Sequence, residues 1–221
     1  MNILSIDTST DKVSVALKIN NKVDVLENNQ KIRASQIILS VIDEILKKNK
    51  IKSEDLKAIT FNKGPASFTG TRIAASIAQA IGYSNNIPVF GISSLSLMAY
   101  STNVEYKCKK MLCVKKAFGN LVYWAIFDID KYKFSPISGN HLTNFNEIQI
   151  DTKDKYCVVS DCMDELFESK KLNDPNIIKI NYTEHEPAKK LINYVVQEDD
   201  LEKSFNYEDT LPDYAGHSIN D

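Results

Sequence analysis

Histidine, glycine and tryptophan are scarce in this 221-residue sequence, which holds three His, seven Gly and one Trp. No histidine precedes His141, and His141, His185 and His217 stand apart from one another in loop-like or capping contexts. A helical His-x-x-x-His metal pair, a zincin motif and a Cys/His catalytic signature are therefore excluded, and the three histidines are expected at the surface. Beyond residue 110 the only glycines are Gly119, Gly139 and Gly216. They are too scattered to form the loops that bring backbone close to the base and ribose of a nucleotide. No apolar run approaches the ~20 residues of a membrane span. Met1 leads directly into a strand rather than a basic and apolar leader, so a cytoplasmic protein away from any membrane is expected. The four cysteines fall in two C-x4-C pairs, Cys108 with Cys113 and Cys157 with Cys162. That spacing is compatible with zinc, but Cys113 and Cys157 lie in apolar stretches that read as buried strands, so free core thiols are expected. Repeats and low-complexity tracts are absent too.

Charge of one sign is lacking overall but not locally. Lys and Arg number 15 against 9 Asp and Glu in residues 1–110, and 12 against 20 afterwards. An acidic second half is a poor ligand for a nucleic-acid backbone. The basic run at 47–52 reads as a solvated helix end whose lysines complement the helix dipole.

What is present is an α/β pattern. Residues 2–6 form a strand ending in the polar turn Asp7-Thr8-Ser9-Thr10, followed by strands at 13–19 and 22–26 around Asn20-Asn21. An acidic residue and hydroxyls in that first turn match the phosphate-binding hairpin of the actin, sugar kinase and Hsp70 superfamily. A strand at 58–61 runs through Gly64, Pro65, Ser67, Phe68, Thr69, Gly70 and Arg72 into a helix at 73–81. Gly64 and Gly70 permit tight turning, Ser67 and Thr69 are caps, and Gly70 is expected to need a backbone conformation that a Cβ disfavours. Five residues separate the two glycines, and Thr71-Arg72 stands where a Walker sequence has Lys then Ser/Thr. The segment is either a structural strand-loop-helix corner or an anion site at a helix N-terminus. Later come a helix at 94–99, strands at 111–114, 121–128, 131–134 and 156–159, and helices at 164–170 and 187–197. The expected domains are residues 1–105 and a smaller, degenerate 106–221, with the boundary in the polar stretch 101–110.

Two helices carry more apolar surface than one core requires. In the first, residues 33–47, the apolar positions cover about 200° of the wheel, roughly twice the stripe of a helix facing a single core. The second sets a bulky side, Ile73, Ile77, Ala80 and Ile81, against a small side, Ala75, Ala78 and Gly82. It is either sandwiched between its own sheet and its neighbour, or part of a helix pair that packs on an equivalent pair of another chain. The expected partner surface comprises Ile38, Val41, Ile42, Ile45, Ile73, Ala75, Ile77, Ala78, Ile81 and Gly82, with the small side open to close helix approach.

The pairing of Ile3-Leu4-Ser5-Ile6-Asp7-Thr8-Ser9 with Gly64-Pro65-Ala66-Ser67-Phe68-Thr69-Gly70-Thr71-Arg72-Ile73 resembles the TsaB (YeaZ) family of bacterial tRNA threonylcarbamoyladenosine biosynthesis proteins. The resemblance is dense to about residue 100 and then rests on Val122-Tyr123-Trp124-Ala125, Glu186-Pro187-Ala188 and Leu211-Pro212-Asp213-Tyr214. It implies two unequal actin-like α/β domains with mixed sheets flanked by helices. It further implies a subunit with no catalytic, cofactor or metal residues of its own, which supports the catalytic subunit TsaD, with the small ATPase TsaE as third member. Alone, such a subunit forms a homodimer, and it meets tRNA only through the complex. Departures include Ala66 and Ala74 in place of glycine, Ala34-Ser35 in place of His-Ser, and Lys116-Ala117-Phe118 in place of Asp-Ala-Arg. Ala215-Gly216 stands where a hydrophobic residue and Arg are frequent. The alternative is an ATP-dependent phosphotransferase or a metallopeptidase of the same superfamily, against which the scattered late glycines and the missing histidine pair count.

Overall fold

Two-residue alternation of apolar side chains builds the first sheet, seen in a computed structural model that describes residues 1–28, 32–106, 108–130, 133–148, 155–170, 174–197 and 205–215. Strands β1 (Asn2–Asp7), β2 (Val13–Ile19) and β3 (Lys22–Asn28) form an antiparallel meander, and β4 (Ala58–Gly64) and β5 (Val89–Ser93) add in parallel, giving the order β3-β2-β1-β4-β5. Asn20, at φ 53°, makes the β2–β3 turn, as the Asn-Asn pair requires. Leu4, Ile6, Leu17, Ile59 and Phe61 point to one face and pack against helices α1 (Ala34–Lys48) and α2 (Phe68–Asn85). Their neighbours Ile3, Ala16 and Ala58 point to the other, where Ala188 and Ile192 of a late helix, α5 (Pro187–Val195), cover them.

The second sheet repeats this plan without sequence repetition. Strands β6 (Lys110–Lys116) and β7 (Leu121–Asp130) are antiparallel, β8 (Lys133–Pro136) and β9 (His141–Asn144) both pair with β7, and β10 (Tyr156–Ser160) and β11 (Ile177–Asn181) continue in parallel from β6. Helix α3 (Ser94–Tyr106) covers Met111, Cys113, Phe127 and Val159 through Leu95, Met98 and Ala99. Helix α4 (Met163–Lys170) covers Leu112, Val114 and Val158 through Met163 and Leu166. By packing, the described residues of Met1–Ser94 and His185–Asp213 form one unit, and those of Leu95–Glu184 with Tyr214 and Ala215 form the other. This division differs from a single cut after residue 105 because α5 lies on the first sheet.

Three expectations change. Helix α2 begins at Phe68 rather than residue 73, because Ser67 caps it by accepting from the Gly70 N–H at 3.3 Å. Cys108 and Cys157 form a disulfide across 49 residues instead of remaining free thiols, while Cys113 and Cys162 are free and buried. Parallel pairing of β6 with β10 sets Cys157 beside Met111, which brings the residues preceding β6 alongside it. His141 is half-buried, stacked on Trp124 with ring centroids 4.4 Å apart, whereas His185 is exposed. The positions expected at residues 131, 216 and 217 lie outside the described residues. No helix among the described residues is long and apolar enough to cross a membrane.

Candidate functional site

The turn after β1 and the loop after β4, separate in sequence, interlock through one carboxylate. Asp7 is buried, and its Oδ1 accepts from both the backbone N–H and the hydroxyl of Ser9, each at 2.8 Å. Its Oδ2 accepts from Asn62 Nδ2 at 2.8 Å. Asn62, fully buried at the end of β4, also donates to Ser9 Oγ at 3.2 Å and accepts at Oδ1 from Gly64 N–H, 3.0 Å, and Ser94 Oγ, 2.7 Å. Charge-assisted bonds to a buried carboxylate are strong, and removing a partner strands the charge. Asp7 therefore acts as a pin between the two strand ends, with both oxygens turned into the protein.

A second clasp lies beside it. Thr8 Oγ1 donates to the Gly70 carbonyl at 2.7 Å, and Ser67 N–H donates to the Ser9 carbonyl at 3.3 Å. Gly70 is helical, so its constraint is proximity rather than conformation: a Cβ there would sit 1.8 Å from the Thr8 carbonyl oxygen. Gly64 does need its freedom, with φ at +94° and the Asp213 carbonyl 3.0 Å from where a Cβ would stand. The Gly64–Pro65 bond is cis.

In front of the clasp opens a cleft of about 850 Å³, lined among others by Thr8, Thr10, Lys12, Arg33, Ser35 and Thr69. Of the expected phosphate turn, Asp7, Thr8 and Ser9 are buried and Thr10 is exposed at this cleft. Of the expected loop, Ser67, Phe68, Thr69 and Arg72 are exposed, and the Arg72 guanidinium lies 3.6 Å from the Phe68 ring centroid. Among the described residues, no group of three or more His, Cys, Asp or Glu could hold a metal ion.

Of the two readings of the second helix, the structure has its small side against its own sheet. Ile38, Val41, Ile42, Ile45, Ala75, Ala78 and Gly82 are all buried. The small side of α2 faces its own sheet because β4 and β5 approach it closely: a Cβ on Gly82 would come within 2.2 Å of Val89 Cγ2. Ile73, Ile77 and Ile81 sit at the margin of the core and stay partly exposed. Leu39 on α1 is 65% exposed, Phe68 is 57% and Tyr83 is 76%. Sequence reasoning passed over Asn62 and Ser94. The only signal for Asn62 is an uncharged polar residue closing an apolar strand.

Residues 28–184 match the family described as TsaD, tRNA N6-adenosine threonylcarbamoyltransferase. The chain is 34% identical over 216 residues to the tRNA threonylcarbamoyladenosine biosynthesis protein TsaB of Buchnera aphidicola subsp. Acyrthosiphon pisum, covering 95% of each. It is 42% identical over 122 residues to the TsaB of Buchnera aphidicola subsp. Schizaphis graminum, covering 55% of this chain and 58% of that protein. Among solved structures, YeaZ from Pseudomonas aeruginosa superposes with a TM-score of 0.79 at 20% identity, over 96% of this chain and 99% of the other. That likeness bears on the fold, which is the actin-like arrangement of two mixed sheets flanked by helices.

Proposed function

The chain belongs to the TsaB (YeaZ) family of tRNA threonylcarbamoyladenosine biosynthesis proteins, and from that membership we propose that it is the non-catalytic subunit of the modifying machinery. In this reading it pairs with the catalytic TsaD subunit, which transfers threonylcarbamoyl to adenosine 37 of tRNA in the cytoplasm. TsaE is the third member, a homodimer forms in the absence of TsaD, and tRNA meets the subunit only through the complex.

The observation that carries the proposal is Asp7. In a phosphotransferase of this superfamily the first turn presents its groups to a phosphate, whereas here both carboxylate oxygens are hydrogen-bonded to Ser9 and Asn62 inside the protein. A group held from both oxygens by internal bonds is a strut. The match of residues 28–184 to the TsaD family supports pairing between two related chains through equivalent helices. The partner surface then consists of the outward residues of α1 and α2, including Leu39, Ile73, Ile77 and Ile81, with the buried small residues supporting it from behind.

The test is Leu39→Asp and Ile77→Asp, each checked by circular dichroism and then for capture of TsaD and for threonylcarbamoyl transfer by the reconstituted complex. An unpaired carboxylate in a dry seam costs several kcal/mol, on the order of a hundredfold or more in affinity. Folded variants that bind TsaD like the native chain would refute the surface. Transfer to tRNA by the isolated subunit would refute the non-catalytic role.

A further inference from the structure

The Cys108–Cys157 bridge lies in the second unit, far in sequence from the clasp, and the proposed assembly role makes no use of it. Most of the core around it is closed, with Met111, Cys113 and Val159 fully enclosed. Yet Cys108 and Cys157 both line a cleft of about 380 Å³ together with Lys109, Lys110, Lys155 and Ile178. The bridge thus forms part of a cleft wall rather than being sealed into the core. Three ammonium-bearing residues line that cleft, and among the described residues its lining holds no carboxylate and neither Lys109 nor Lys155 has an ion pair. Lys110 sits over the Tyr156 ring at 5.8 Å.

We propose that this cleft is a thiol–disulfide exchange site for a small anionic thiol of the glutathione class, which the lysines draw onto the Cys108–Cys157 bridge. Exchange proceeds by attack of a thiolate on a disulfide sulfur, and its rate rises with local thiolate concentration and with stabilisation of the leaving thiolate. Cationic side chains around the bridge supply both: they concentrate an anion and they stabilise the cysteine thiolate as it departs. The incoming thiolate bonds to one cysteine sulfur, the Sγ–Sγ bond breaks, and the other sulfur leaves as a thiolate that takes up a proton. A second small thiolate then attacks the mixed disulfide, releasing the small symmetrical disulfide and leaving both cysteines reduced. Two electrons pass from two small thiols to the bridge, and the small disulfide acting as oxidant reverses the sequence. A volume of 380 Å³ is within the range of small-molecule sites and admits much of a tripeptide. The bridge ties the residues after α3 to β10 across 49 positions, so the site sets the redox state of a long-range staple.

The test compares reduction of the full-length protein by glutathione, whose attacking thiolate is the most negative, by 2-mercaptoethanol, whose thiolate is a simple anion, and by cysteamine, whose thiolate is balanced by its own ammonium, at equal thiolate concentration, followed by alkylation and intact mass. Glutathione is expected to be fastest and cysteamine slowest, with the difference collapsing in high salt. Lys109→Glu with Lys155→Glu is expected to slow every reagent, because the departing cysteine thiolate loses its cations, and to slow glutathione about fivefold more than cysteamine, because the attraction of the incoming anion is lost as well. Both lysines are exposed, and circular dichroism verifies the fold. Equal rates for glutathione and cysteamine in the native chain would overturn the proposal. So would four alkylatable thiols in protein equilibrated with oxidised glutathione.

Discussion

Replacing Gly70 by alanine separates two arguments by the sign of the effect. Helix propensity alone predicts stabilisation, because Gly70 lies in the first turn of α2 and alanine is favoured over glycine in a helix by about 0.5–1 kcal/mol. The tertiary structure predicts the reverse. The new methyl would stand 1.8 Å from the Thr8 carbonyl oxygen and 2.9 Å from its carbon, and both belong to backbone pinned by the Asp7 network. Relief requires the turn and the helix to part, which breaks the buried Thr8–Gly70 hydrogen bond of 2.7 Å. Overpacking costs about 1–3 kcal/mol and stranding a buried hydrogen-bonding group about 1–3 kcal/mol, against the propensity gain. The net is a loss of about 2–4 kcal/mol, or roughly 5–15 °C in melting temperature for a chain of this size. Urea and thermal denaturation followed by circular dichroism measure it. A Gly70→Ala protein as stable as the native one would refute the claim that the clasp is rigid.

Two further outcomes are expected. Ala78→Asp puts a carboxylate at a fully buried position in the apolar core that also holds Ile59, Phe61 and Ala75 and should abolish folding, with loss of the far-ultraviolet helical signal; a folded variant would mean that the small side of α2 faces outward. Burial pushes the Cys162 thiol from its ordinary 9.0 up to about 11, aided by the charges of Asp161 and Glu165 and opposed by the Ser160 hydrogen bond. The folded state holds the neutral thiol. Its stabilisation is therefore complete below about pH 9 and is lost as the pH rises towards about 11, and alkylation at about pH 8 should be roughly a hundredfold slower than for a free cysteine. Iodoacetamide kinetics followed by peptide mass would contradict this if Cys162 reacted at the free rate.

The long central strands were legible for two reasons: 2–7 is a compact run built on Ile3, Leu4 and Ile6 and buried on both faces, and 121–130 alternates buried with less buried positions. The three strands without a clear signal, β5, β9 and β11, are edge strands of four or five residues; β11 shows a burial pattern of one intermediate, two exposed, one buried and one exposed position. An edge strand is held by one ladder and packs weakly, so its side chains are under little selection for pattern. The clasp was half legible. Asp7, Ser9 and Gly70 stood out as turn and cap residues, but their joint meaning depends on Asn62, which is 55 residues from Asp7.

The sequence by itself determined the α/β class, the helices and their apolar faces, the two motif loops and the family, because each is written in local periodicity or in a contiguous string of residues. Only the tertiary structure decided which side of α2 meets the sheet, that α5 returns to the first sheet, that Gly70 is constrained by contact, and that Cys108 bonds Cys157 rather than either near neighbour. Each of these is a contact between segments far apart in the chain. An apolar helix face records that it must be covered, and carries no record of which surface covers it.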